Sequence, residues 1–420
     1  MKRAVRHFFR WPEKSCVASR GLLSTITTTE EQVDLQGVLA APEKMEHSEA
    51  EDYLEEDEML YCAIPSDASA SSEVTECLFT SKRVLNAVPS LVQPTNPPRD
   101  PPWRLDQCSG KGMALFATRD IKQGELVSDR RPLLLSSIKT PVLCPSLAGV
   151  SDEKELDRML NNAETEVLES LVNRMCAENR AAYMRLANTD PESPPSSVRG
   201  IHDTNAVGIM ELNQNGEAHS THTCVCEVYS RLNHSCSPNT ERRFHLPSFS
   251  FQIYAVRNIR NGQELTSSYS DLLAPACERR VFLRNRYGFV CRCPACLEPR
   301  ASDVRRAQLD DEEEDFDIGL VIQWCKDASL PDDWLIKRCL KHLELIEAED
   351  LQVLDTYWEL LATLARAYLS LGDVETAREW AERARRCAWI HPYRRDAQDL
   401  EDILGGKYEQ LEMWRMRPCT

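Results

Sequence analysis

From residue 104 to about residue 298 the chain breaks into short apolar runs separated by turn residues, with one interruption of different period. Gly110-Lys-Gly-Met-Ala-Leu-Phe-Ala117 has the glycine content of a tight strand-to-strand loop. Ile121-Lys-Gln-Gly-Glu-Leu-Val127 reads as a turn followed by a strand, with Gly124 free to take a positive φ. Strand character recurs at Ala206–Met210 and Thr223–Tyr229, and the alternation is cleanest over Phe249–Val256. Between these strands the period lengthens. Ser151 or Asp152 can cap a helix, and Val167, Leu168, Leu171, Val172 and Met175 repeat at helical spacing until Pro191, Pro194 and Pro195 end the segment. Many short strands around a helical insert, at about 138–205, predict a compact β-rich domain rather than a parallel βαβ sheet.

The two flanks read differently. After an acidic linker over 299–317, residues 318–420 are predicted to be all helical, so the fold class is α+β. Thr356–Tyr368 is amphipathic, Leu371-Gly-Asp373 makes a turn, and Val374–Cys387 forms a second helix. Leu361, Leu364, Ala365, Tyr368, Ala377 and Ala384 match the small/large pattern of tetratricopeptide repeats, with weaker units near 335–350 and 395–410. A plain helical bundle would use the same residues. Residues 1–103 read as a mostly disordered arm, acidic and then Ser- and Pro-rich from 30 to about 100, with one short helical segment within Val74–Leu91. Its first residues, Met1–Thr29, carry Lys2, Arg3, Arg6, Arg10, Lys14 and Arg20 against Glu13 alone. That composition fits a mitochondrial transit peptide, and it also fits an ordinary tail.

The 420 residues allow two or three domains. A net charge of −17 makes direct nucleic-acid binding an unfavoured function and suits basic partners such as lysine-rich tails, although solubility explains acidity equally well. The 17 cysteines are mostly scattered singly, which fits a reducing compartment rather than a disulfide framework. No apolar run reaches membrane-spanning length.

Three thiols are not scattered. Cys291, Cys293 and Cys296 form C-x-C-x-x-C, which offers three soft ligands on one short loop. A tetrahedral zinc needs a fourth. Cys236, in Arg231-Leu-Asn-His-Ser-Cys-Ser-Pro-Asn239, is the natural choice, with Cys277 and Cys226 as the alternatives on spacing. Asn233 and His234 lie two to three positions from Cys236, so a metal would fix their loop against the cysteine-rich tail. Tyr269 ends the intervening Glu264-Leu-Thr-Ser-Ser-Tyr269 segment. By itself it reads as a rim residue, and Gly110-Lys-Gly112 lacks a full nucleotide-binding pattern.

In this order these motifs resemble the SET-domain protein methyltransferases, and Ser268–Leu273 with Arg286–Cys291 are most similar to the SMYD type and its fungal SET-plus-helical-repeat relatives. The resemblance covers about 104–298. It implies a β-rich SET domain with a helical insert and a post-SET zinc site, followed by a tetratricopeptide-like helical domain. One departure stands out: the insert holds only Cys144 and Cys176, too few for the two-zinc MYND finger of the SMYD type. The implied activity is methyl transfer from S-adenosylmethionine to a protein lysine amine. Lys111, Gly112 and Met113 would meet the cofactor through backbone groups, and Asn233 and His234 would hold its methionine and adenine portions. Tyr287 and Phe289 would wall the adenine and lysine channel. Tyr269 would be the catalytic residue, and zinc would sit on Cys236, Cys291, Cys293 and Cys296. The implied partner is a protein with an exposed lysine, histone or not, met by a monomer in the cytoplasm or nucleus. A non-catalytic scaffold that binds partner tails is the competing reading.

Overall fold

The computed structural model describes residues 59–66, 73–80, 82–90, 92–137, 152–191, 193–213, 222–310, 316–388 and 398–417. The expectations for the stretches before residue 59, for Cys144 and for the acidic residues 311–315 lie outside the described residues. In chain order the elements are β1 (Leu60–Ile64), β2 (Thr75–Phe79), α1 (Lys82–Ala87), β3 (Trp103–Cys108), β4 (Gly112–Ala117), β5 (Leu126–Arg130) and β6 (Leu134–Ser137). The insert follows as α2 (Glu153–Arg174), α3 (Ala177–Met184) and α4 (Val198–Asn205). Then come β7 (Val207–Ile209), β8 (His222–Val225), β9 (Asn233–His234), β10 (Thr240–His245), β11 (Ser250–Ala255) and β12 (Thr266–Ser267). The remainder is helical: α5 (Ala276–Tyr287), α6 (Pro294–Leu297), α7 (Pro299–Leu309), α8 (Ile318–Lys326), α9 (Trp334–Ala348), α10 (Asp355–Ser370), α11 (Val374–Cys387) and α12 (Gln398–Leu404).

Four small sheets make the β-rich part. One runs β1-β2-β6-β8-β7, another β10-β11-β5, and β3-β4 and β9-β12 are pairs. Their inward faces share one core that includes Phe79, Leu115, Val127, Leu135, Phe244, Phe249, Phe251 and Ile253. Phe244 lies edge-on to both Phe249 and Phe251, with ring centroids 5.2 and 5.4 Å apart. Each such burial contributes roughly 1.5–3 kcal/mol.

The insert is helical as expected. The Asp152 side chain accepts from the Lys154 amide to cap α2, and the Ser197 hydroxyl accepts from the Gly200 amide to cap α4. Its apolar residues pack on Leu133, Leu134 and Val225 in a separate core, away from the four-cysteine cluster. The tyrosine end of the strand expected over Thr223–Tyr229 is instead a 3-10 turn, Tyr229–Arg231, after β8 stops at Val225.

Two further expectations are corrected. The arm is not unstructured throughout: β1 and β2 pair in register, Leu60 with Phe79 through Ile64 with Thr75, and β2 runs parallel to β6. Polar Thr75 and Glu76 are buried there because each has a partner, the Pro132 carbonyl at 2.7 Å and Arg174 at 3.0 Å. The linker over 299–317 is helix α7 up to Leu309, with Ser302 and Arg306 buried on its inner face.

That inner face fastens the helical region to the β-rich part. Arg306 donates from Nε to the Glu349 carboxylate at 2.9 Å, from Nη1 to the Cys236 carbonyl at 3.0 Å and from Nη2 to the Ser237 hydroxyl at 3.1 Å. Ser302 and Arg305 each donate to Glu349 at 2.6 Å, and Ser237 donates to the Glu349 carbonyl at 2.7 Å. Burial alone would raise the Glu349 carboxyl pKa, but Ser302, Arg305 and Arg306 outweigh it and hold it below its ordinary value. The loop that carries Cys236 is thus held from behind by the start of the helical region. No helix among the described residues is long and apolar enough to cross a membrane.

Candidate active site and metal centre

The site is assembled from segments far apart in sequence. β9 and β12 run parallel, with Asn233 opposite Thr266 and His234 opposite Ser267. Asn239 locks the crossing: its side chain donates to the Glu264 carbonyl at 2.8 Å and accepts from the Thr266 amide at 2.8 Å. Both of its amide faces are therefore used, so this buried side chain is satisfied.

His234 is held as a specific tautomer. Its Nδ1 accepts from the Tyr269 amide at 3.0 Å, which puts the proton on Nε2, 3.3 Å from the Cys236 sulfur. Burial pushes the ring pKa down to about 3, so it stays neutral. Both ring nitrogens are committed, which leaves the His234 backbone to meet a ligand in the cleft.

Tyr269 donates its hydroxyl proton to the Leu232 carbonyl at 2.6 Å. Its ring lies 5.5 Å from His234 and 4.8 Å from Tyr287, and Phe289 lies 6.1 Å from His234. Desolvation, then the neighbouring Tyr229, Tyr287 and Glu264, push the Tyr269 pKa far above the usual phenol range. The group is a neutral phenol at any physiological pH, not a phenolate base. Tyr229 was missed as a site residue. It borders the same cleft, and the only hint in the sequence was its place at the end of a predicted strand.

A single cleft of about 2570 Å³ joins these parts. Its walls include Lys111, Gly112, Met113, Asn233, His234, Tyr269, Tyr287 and Phe289, and it continues to Leu354 and Thr356 of the helical region. At its base one carboxylate ties two predicted residues together. Glu264 accepts from Lys111 Nζ at 2.6 Å and from Asn233 Nδ2 at 2.9 Å. Glu264 itself escaped the sequence reading as a site residue, although it opens the segment that ends in Tyr269. Gly112 needs its glycine for φ +77°, since an added Cβ would meet nothing within 4 Å.

Beside the cleft lie four thiols. The sulfurs of Cys236, Cys291, Cys293 and Cys296 are all within 4.8 Å of one another, and Cys236 is 3.9 Å from Cys291 and 3.6 Å from Cys296. A tetrahedral zinc with bonds of about 2.3 Å requires sulfurs about 3.8 Å apart, so the residues fit that ion. Cys277 is exposed and Cys226 belongs to the main core, so neither joins the cluster. Contacts among the sulfurs, led by Cys291, push the Cys236 thiol up, while those led by Cys236 hold Cys293 down. Four sulfurs this close resist ionising together unless a cation joins them. Helix α5 aims the cysteine loop: Gly288 ends it at φ +73° and turns the chain between Tyr287 and Phe289. Cys293→Ser is expected to lower bound zinc, measured by elemental analysis of purified protein, from about one ion per chain to a small fraction of that. Unchanged stoichiometry would refute the four-thiolate centre.

Comparison with known proteins places these residues in a family context. Residues 112–270 match the SET domain. The chain is 28% identical over 219 residues to the histone-lysine N-methyltransferase set5 of Schizosaccharomyces pombe, covering 51% of this chain and 58% of that protein. It is 35% identical over 86 residues to SET5 of Meyerozyma guilliermondii, covering 20% of this chain and 18% of that protein. It is 46% identical over 67 residues to the histone-lysine N-methyltransferase SMYD3 of Mus musculus, covering 16% and 15%. The chain thus spans 58% of the first of these relatives and less than a fifth of the other two.

Proposed function

We propose, from the SET domain over residues 112–270, that this chain transfers a methyl group from S-adenosylmethionine to the side-chain amine of a lysine in a protein. The observation that carries the reading is the meeting, in one cleft, of the Asn233–Glu264–Lys111 cluster and the Tyr269 phenol, backed by a four-thiol centre. The donor set suits that cofactor. Lys111 and the Asn233 amide match a carboxylate, Glu264 matches an ammonium, and Tyr287 and Phe289 supply π faces for adenine and the sulfonium. When bound, the cofactor supplies an electrophilic methyl group on a sulfonium cation. Zinc on the four thiols would have a structural part, fixing Tyr287 and Phe289 through the cysteine loop.

The chain's own residues would handle the amine. A lysine enters as an ammonium with pKa near 10.4, so only on the order of one in a thousand is free base at pH 7. Burial in a cleft walled by Tyr229, Tyr269, Tyr287 and Phe289, beside the like charge of the sulfonium, would disfavour its charge. Because the Tyr269 proton is given to Leu232, its oxygen keeps lone pairs that would accept from the amine N–H and orient the amine lone pair toward the methyl group. The neutral phenol is a poor base, so the amine proton would leave to solvent before transfer. Between pH 6 and 8 the single-turnover rate should rise with a slope near tenfold per pH unit. A flat profile would contradict a pre-equilibrium deprotonation.

The substrate is proposed to be a lysine-bearing protein segment, histone or not, with the −17 charge favouring basic partners. The set5 and SMYD3 names support the histone option. The nucleus and cytoplasm are the compartments where such substrates are met, and 318–420 would act as a tetratricopeptide-like platform beside the cleft. The test is calorimetric titration with S-adenosylmethionine, followed by transfer of its labelled methyl group to histones and to a lysate depleted of methyl-lysine. Cofactor binding weakened at least tenfold by Asn233→Ala, together with label on lysine, is the expected result. Binding with no label on any lysine would leave only the scaffold reading.

A further inference from the structure

The side chain of Arg279 is fully buried, which is costly for a guanidinium unless its charge is met. Its oxygen partners do not meet it. Nη1 donates to the Ala274 carbonyl, and Asp303 stands 3.8 Å away, beyond a close ion pair. Nε and Nη2 are buried and reach no oxygen acceptor among the described residues. The direction of the side chain explains this. Arg279 lies one helical turn before Leu283 on α5, on the same face, and Leu283 packs against Cys236, Cys291 and Cys296. The sulfurs of Cys236 and Cys296 are the side-chain partners beside the guanidinium.

We infer that Arg279 is a positioning residue for the metal centre, donating N–H···S hydrogen bonds from Nε and Nη2 to the sulfurs of Cys236 and Cys296 when these are thiolates on zinc. The inference rests on the four-thiolate reading above. A zinc held by four thiolates carries a net charge of about −2, and in a buried site such a charge needs a nearby cation. His234 Nε2–H, 3.3 Å from the Cys236 sulfur, supplies a neutral donor, and Arg279 supplies the cation. Hydrogen bonds of this kind draw charge off sulfur, so they make the ligands poorer nucleophiles and slow loss of the metal by attack on sulfur.

The test loads the full chain with cobalt(II) in place of zinc and reads the sulfur-to-cobalt charge-transfer band. A wild-type spectrum without tetrahedral four-thiolate character would refute the metal centre itself, a separate failure. Given that spectrum, Arg279→Met is expected to move the band to lower energy and to speed metal loss under N-ethylmaleimide by about tenfold. Arg280→Met is the structural control. Arg280 donates to the Cys296 carbonyl and holds the same loop, but it has no role toward sulfur in this account, so its band should stay in place. Arg279→Lys keeps the charge and should give a smaller shift in the same direction. It decides the matter if Arg279→Met does not fold. An unmoved band in the foldable Arg279 variants, or an equal shift in Arg280→Met, would overturn the inference.

Discussion

Tyr269→Phe is expected to lower the proposed methyl transfer by about 10²–10³-fold while the protein keeps its fold and its four-thiol cluster. The size follows from the loss of one preorganised polar atom at the reacting centre, which typically costs that much in turnover. Phenylalanine keeps the ring that packs against His234 and Tyr287, at 5.5 and 4.8 Å, so the cleft wall survives. What is lost is the oxygen that receives its fixed direction from the Leu232 carbonyl. Leaving that carbonyl without its donor costs about 1–3 kcal/mol of stability at most, too little to unfold a typical domain. The two effects separate experimentally. Thermal unfolding and bound zinc should change little, cofactor affinity should stay within a few-fold, and kcat should fall while KM does not rise in proportion. Near-normal kcat would remove Tyr269 from the chemistry and leave it as a structural post.

The second large effect is on stability. Arg306→Met removes a buried guanidinium that serves the Cys236 carbonyl, the Ser237 hydroxyl and the Glu349 carboxylate together. Breaking such a buried pair costs about 3–5 kcal/mol because the partner is left uncompensated. Ser302 and Arg305 still reach Glu349, which favours the lower end. Denaturant unfolding followed by separate probes should show the wild type losing both regions in one transition and Arg306→Met in two. A single transition with an unchanged midpoint would mean that the contact contributes nothing. The pH dependence has a fixed sign. The Glu349 carboxyl is held below its ordinary value, so its contribution is complete above the ordinary glutamate pKa of about 4.3 and is lost as pH falls through the lowered folded value. Glu349→Gln should therefore flatten the stability profile between the ordinary glutamate pKa and the lowered folded value.

The candidate site was legible because its residues lie in contiguous blocks. Cys291, Cys293 and Cys296 suggest a metal by their spacing, and Asn233, His234 and Cys236 share one short run. Three things were hidden for physical reasons. β2 is buried from Thr75 to Phe79, so it lacks the alternation by which half-buried strands are recognised, and Glu76 in its middle reads as surface until Arg174 is seen beside it. α7 was absorbed into a linker because the acidic run after Leu309 dominated the local composition, while Arg306 and Glu349, 43 residues apart, gave no sign of belonging together. Arg279 and Glu264 were invisible for a related reason. Their significance lies in what they face across the site, and a linear pattern carries no record of that.

The Arg306 attachment also bears on how the protein is made. A ribosome delivers the Asn233–Cys236 segment well before the cysteine loop, and Glu349 later still. The sulfur of Cys236 meets Cys291 across 55 residues, and the Cys236 carbonyl meets Arg306 across 70. During synthesis the nascent chain therefore carries an open half-site until Cys296 emerges, and a Cys236 loop without its support from behind until Arg306 and Glu349 follow, so a premature stop before Glu349 should yield a product that chaperones retain or proteases clear.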